Sequence, residues 1–126
     1  MPKALRWLAI MCFAFGLFLP LALIPAGGHY INGVAVTFAE FWRRGGGPVF
    51  FVAGIVFPLI GYGFIRARNW SRYVYVGIHV AWGISFLSSS PIDALVVLAW
   101  AALTGYYLFW RRNVREYFGV VDDASI

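Results

Sequence analysis

The sequence predicts an all-α integral membrane protein: four transmembrane helices in an up-down bundle, forming one domain over residues 1–126. Three observations predict it. The chain is 62% hydrophobic and only 12% charged, where a soluble domain carries about 25% charge. A globule of this length cannot hide so much apolar surface, so lipid has to cover it. The charges also gather in short clusters at the ends of apolar runs, as topogenic charges do. That placement argues against reading the net charge of +5 as a nucleic-acid footprint. The single Cys12 excludes an internal disulfide and says nothing about redox compartment.

The first span is expected at about residues 5–26. Lys3 and Arg6 precede a charge-free run from Trp7 to Gly28, and a helix needs about 20 residues to cross the hydrocarbon core. A basic start and Ala26 near the end also fit a cleaved signal peptide. The apolar run exceeds a usual signal-peptide core, so a retained helix is expected, bent or ended by Pro20 and Pro25.

The one long loop, residues 29–47, carries its own signals. Asn32-Gly33 sits between apolar residues and supplies the positive φ values of a tight hairpin turn. Thr37-Phe-Ala-Glu40 reads as a capping box, with side chain and backbone bonded reciprocally. Val36 and Phe41 stand at the staple positions. A short amphipathic helix, 38–44, should follow and stop at Gly45, lying on the membrane surface.

The second span is expected at 48–66. Its charge-free core, Pro48–Ile65, contains Gly54, Pro58, Gly61 and Gly63, which predict a kink and a closely packed neighbour. The basic turn follows with Arg66, Arg68 and Arg72. The third span is expected at about 70–89, charge-free from Tyr73. Ser90, Pro91 and Asp93 read as N-cap, first helical residue and first-turn acid. The fourth span is expected at 91–112 and should run on as helix past Arg111, Arg112 and Arg115. Gly119 reads as its C-terminal stop, and Asp122–Ile126 as a frayed tail.

Charge sets the orientation. Eight basic residues fall on one side of this topology, and Arg43 and Arg44 on the other. Both termini should face the cytoplasm, in a multi-pass protein of the cell inner membrane. Trp7, Trp70 and Trp110 then align at the inner interface, and Trp42 at the outer one.

His79 is the one ionisable side chain well inside a span, six residues past Tyr73 and roughly 9 Å deep. Tyr75 and Trp82 share its helix face. It reads either as a ligand or relay residue, or as a neutral ring satisfied by Tyr, Ser or a neighbouring helix's carbonyl. His29 lies roughly 20 Å away in depth, so one metal cannot take both within one chain. No metal site is expected within one chain, because one Cys and no intramembrane carboxylate fall short of the usual ligand set; a two-fold pair of His79 residues across a dimer is the alternative. No cofactor is identified, but Trp82 and Trp100, near the midplane, need partners for their indole N–H groups and could face a flat ring or another subunit.

Gly77 with Ala81, and Ala101 with Gly105, form small-xxx-small patterns that admit a close helix. Phe41, Trp42, Arg43 and Arg44 combine the aromatic and arginine residues that anchor interfaces. Arg66, Arg68 and Arg72 suit anionic lipid headgroups. No nucleophile–base pair or phosphate loop is present. Coupled antiport would need an acid inside a span, and the charge-free runs hold none. The expected function is therefore non-catalytic: an accessory subunit that binds other membrane subunits or itself within the bilayer. A homo-oligomeric pore or uncoupled carrier is the alternative, and a redox or enzyme subunit using His79 is a third reading.

Overall fold

The computed structural model describes residues 1–25, 29–31 and 33–120. Ala26, Asn32 of the hairpin turn and the Asp122–Ile126 tail lie outside the described residues. The chain is mostly helical. Three helical stretches, Lys3–Leu23, Gly46–Ile65 and Pro91–Trp110, are long and apolar enough to cross a membrane.

The first stretch is not one regular helix. It comprises α1 (Lys3–Ala14), a 3₁₀ step (Phe15–Leu17) and α2 (Phe18–Leu23). Pro20 has no N–H to give the carbonyl of Gly16, which accounts for the tightened turn just before it. Helix ends at Leu23, short of the expected 26. Ile24 is extended, at φ −93 and ψ 118, because a residue before proline is pushed out of the α region.

A two-stranded hairpin follows, β1 (His29–Ile31) and β2 (Val34–Val36), with His29 opposite Val36 and Ile31 opposite Val34. Gly33 supplies a φ of +76 in its turn. Thr37 then caps α3 (Phe38–Arg43), its hydroxyl accepting from the amide of Glu40 at 3.2 Å. Only this half of the expected capping box forms. The Glu40 carboxylate turns to Arg44 instead, 3.7 Å away.

Helix α4 (Gly46–Ile65) starts two residues earlier than expected. Gly45, at φ +93, makes the reversal between α3 and α4, a conformation that costs other residues about 1–2 kcal/mol. Packing then runs α1 and α2 against α4, α4 against α5 (Trp70–Ser85), and α5 against α6 (Pro91–Trp110). The backbones of α2 and α4 meet closely. A Cβ built on Gly54 would stand 2.5 Å from the backbone nitrogen of Leu19.

Helix α5 ends at Ser85, not near Ser89. The Ser85 hydroxyl donates to the Trp82 carbonyl at 2.6 Å, a local bond that competes with the helix ladder. Ser89 and Ser90 close the turn onto Phe86. Ser90 does precede Pro91, as expected of an N-cap, but among the described residues its hydroxyl makes no capping bond.

The last helix also breaks. Arg111 is extended, at φ −70 and ψ 122, and α7 (Arg112–Tyr117) turns away from α6. An unbroken helix would have carried Val114 and Phe118 along the α6 axis. The break folds both into the core, where they are buried beside Leu5, Ile60, Phe64 and Leu108. Helices α4 and α7 both end in the bonding pattern of a Schellman motif. Arg68 and Ala67 donate to Gly63 and Phe64 at the end of α4, and Val120 and Gly119 to Arg115 and Glu116 at the end of α7. Gly119 takes the left-handed position in α7, but Ala67 occupies it in α4, at φ 51.

Candidate functional site

The α1–α4–α5–α6 packing order leaves α1 and α6 as the two outer helices. They are joined at one end, where the Tyr107 hydroxyl meets the amide of Leu5 at 3.1 Å. Beyond that link they leave a groove of about 430 Å³. Trp7, Met11 and Phe15 form one wall, Val96 and Trp100 the other, and Tyr75, His79 and Trp82 of α5 the floor. Ligand sites in proteins span about 300–1,000 Å³ and combine apolar walls with a few placed polar groups.

The polar groups here are few and ordered. His79 is only 7% exposed. Its Nδ1 lies 2.8 Å from the carbonyl oxygen of Tyr75. A carbonyl can only accept, so Nδ1 donates, and in the neutral ring Nε2 carries a bare lone pair. The acceptor is one turn back on the same helix, not on a neighbouring one. The imidazole is fixed by Tyr75 at 4.4 Å between ring centroids and by Phe57 of α4, edge-on at 5.7 Å. Nε2 has no partner among the described residues, and it is not sealed from the surroundings.

Tyr75 holds the second polar group. Its hydroxyl accepts from the indole N–H of Trp100 at 3.0 Å. The Trp100 indole N–H thus has a partner. The Tyr75 proton has no acceptor among the described residues. Trp82 lies against Phe86, with its ring 6.5 Å from that of His79. So the structure brings His79, Trp82 and Trp100 into one groove. Sequence spacing placed Tyr75 and Trp82 beside His79. It could not join Trp100 to them, nor supply Met11 or Phe15, whose positions depend on the register between helices.

A second groove, about 400 Å³, lies between α4 and α5 and shares Trp82. Its lining from Pro48 to Phe57 and Ile78 is apolar, so nothing in it selects a polar ligand.

Other sequence-derived candidates fall elsewhere. Arg72 is 2% exposed, so its guanidinium is not offered at the surface as a headgroup contact would need. Its guanidinium donates to Asn69 through Nε, at 2.8 Å, and Nη2, and to the Leu108 carbonyl through Nη1 at 2.8 Å. It also lies over the rings of Phe109 and Phe118, at 4.7 and 5.0 Å. Arg66 and Arg68 are exposed.

Phe41 and Trp42 are turned inward and do not form an open docking patch with Arg43 and Arg44. Phe41 is buried between His29 and Phe50. Trp42 donates to the Ala22 carbonyl at 2.7 Å, stapling α3 onto the end of α2. Gly46 and Gly47 admit these rings, since a Cβ at either position would overlap them. Arg43 and Arg44 remain exposed.

The two small-residue pairs also part. Ala101 and Gly105 are buried, with Gly105 facing Val76 of α5. Gly77 and Ala81 are exposed, and no other group among the described residues lies within 4 Å of a Cβ on Gly77.

Comparison with protein families, curated proteins and solved structures finds no match to this chain.

Proposed function

We propose that this chain is a non-catalytic four-span protein of the inner membrane that acts by binding within the bilayer, as an accessory subunit of a membrane complex. The observation that carries the binding part of this reading is the groove on the α1–α6 flank. It is a shaped, aromatic-walled recess with polar atoms at its floor, which suits recognition. Among the described residues no nucleophile–base pair accompanies it.

Support for four spans comes from several sides. The exterior is apolar, with Ile92 76% and Leu95 71% exposed. Helix α5 has 16 residues, about 24 Å of rise, and the turn at Phe86–Ser89 lengthens its crossing. Because that turn is tight and α5 lies along α6, a membrane-spanning α6 carries α5 with it in the opposite direction. Trp7, Trp70 and Trp110 are all exposed and suit an inner aromatic belt. With both termini cytoplasmic, the hairpin and α3 lie outside.

The exposed Gly77 and Ala81 suit a close partner helix, and Arg43 and Arg44 suit an outer contact. Mild detergent extraction from native membranes, followed by sizing and identification of co-purifying chains, tests the reading. A heteromeric complex is expected, with no solute flux after reconstitution. A homo-oligomer that conducts would overturn it in favour of a pore.

A further inference from the structure

The geometry points to a specific occupant for the α1–α6 groove: a membrane-soluble phenol, an aromatic ring bearing a hydroxyl that donates to His79 Nε2. This rests on the reading of the chain as an intramembrane binding protein and adds the ligand's chemical class.

Size limits the choice first. The groove holds about 430 Å³. A helix is about 10–12 Å across, so no more than roughly one turn of a partner helix would fit. A ring with a short chain fits well.

Hydrogen bonding limits it further. His79 is more than nine-tenths buried, yet its Nε2 has no partner among the described residues. Nε2 keeps some exposure on a residue that lines the groove, so a ligand that donates to it gains over one that cannot. The adjacent Tyr75 hydroxyl has a proton without an acceptor, because its recorded bond is the one it accepts from Trp100. The ligand should therefore donate to one group and accept from the other. A hydroxyl does both. A ketone, a quinone carbonyl or an ionised carboxylate only accepts, and an ammonium only donates. A saturated lipid tail does neither, and the α4–α5 groove already offers it a wholly apolar recess.

The walls select the ring. Trp7, Phe15, Trp82 and Trp100 present aromatic surface around His79, and offset or edge-on contact with a flat ring adds to simple burial. A neutral phenol also avoids placing a charge in the apolar groove.

The test uses the full chain in lipid nanodiscs with tritiated 4-nonylphenol, and with 4-nonylanisole, its methyl ether, as competitor. The ether keeps the ring and chain but cannot donate. Saturable binding of the phenol is expected at one site per chain, with the ether roughly 3–10-fold weaker, the range one neutral hydrogen bond supplies. His79→Phe should remove that difference, leaving both probes at the ether's affinity. Val96→Trp is the second variant. Val96 is 62% exposed, so the larger ring fills the groove without disturbing the core, and binding of both probes should be lost.

Equal affinity for phenol and ether in the unaltered protein would overturn the proposal. So would phenol binding that survives Val96→Trp, or a preference for the phenol that survives His79→Phe. Those results would leave a co-purifying partner subunit untouched. Conversely, selective phenol binding by a chain that purifies without a partner would retain the ligand and remove the accessory-subunit role.

Discussion

Arg72 of α5 donates from Nη1 to the carbonyl oxygen of Leu108 in α6, across 2.8 Å. Leu108 is among the last four residues of its helix, whose carbonyls have no partner within the helix. The same end carries the negative pole of the helix dipole, which favours a nearby cation. Asn69 and the faces of Phe109 and Phe118 complete the surroundings. A buried charge is thereby held without a carboxylate among its recorded contacts.

Arg72→Met should destabilise the fold by about 1–3 kcal/mol, the cost of leaving a buried polar group without its bond. Arg72→Lys should recover little of it, since one ammonium cannot reproduce the planar fork shared by Asn69 and Leu108. Thermal unfolding in detergent, followed by circular dichroism, measures both. A lysine variant as stable as the parent would show that charge alone suffices.

Tyr117 of α7 serves the end of α4, its hydroxyl lying 3.0 Å from the Phe64 carbonyl and 2.8 Å from that of Ile65. Tyr117→Phe keeps the ring and removes this contact. A loss of about 1 kcal/mol is expected, together with faster amide exchange at Arg66–Arg68. No change in exchange there would mean that α7 does not hold the end of α4.

Ala67 sits in the left-handed region, at φ 51, at a helix-stop position usually taken by glycine. Relieving that conformation should raise stability, so Ala67→Gly is expected to gain up to about 1 kcal/mol. Ala67→Val should lose stability, because its branched Cβ suits this region worst. The unfolding midpoints of the three proteins order the effect, and a glycine variant below the parent would contradict it.

Topology has a direct test in a Cys12→Ala background. A membrane-impermeant maleimide applied to intact cells should label Val34→Cys and Ser89→Cys and spare Asn69→Cys. All three positions are exposed on the protein surface, so protection reports the membrane. Labelling at Asn69 from outside would invert the proposed orientation.

Much of the fold was legible because it is local. Thr37 capping Glu40, proline at the start of α6 and glycine at the stop of α7 each involve residues a few positions apart. The fate of Arg72 was not legible, because an arginine between apolar runs has the same pattern whether it meets water or a helix end. The break at Arg111 was hidden for a related reason, since it depends on what Val114 and Phe118 gain in the core; the end at Ser85 was hidden because a serine has the same sequence signal whether or not its hydroxyl turns back to its own helix. The aromatic face of α3 was readable, but not that Gly46 and Gly47 would receive it. For the candidate site, the face shared by Tyr75, His79 and Trp82 was visible. The groove was not, because it arises from the separation of two helices nearly a chain length apart.

That separation also has a meaning in time. The Leu5 amide is met by the hydroxyl of Tyr107, 102 positions later. At 5–20 residues per second, a ribosome needs roughly 5–20 s to travel between them. Once α4 has been made, part-way through that interval, α1 can pair with it while its leading end stays unclosed. The carbonyls of Phe64 and Ile65 wait similarly for Tyr117. The appearance of the first helix and its closure are thus separate events in the birth of this protein. Its first helix is delivered early, and the molecule is latched by the last helices to emerge.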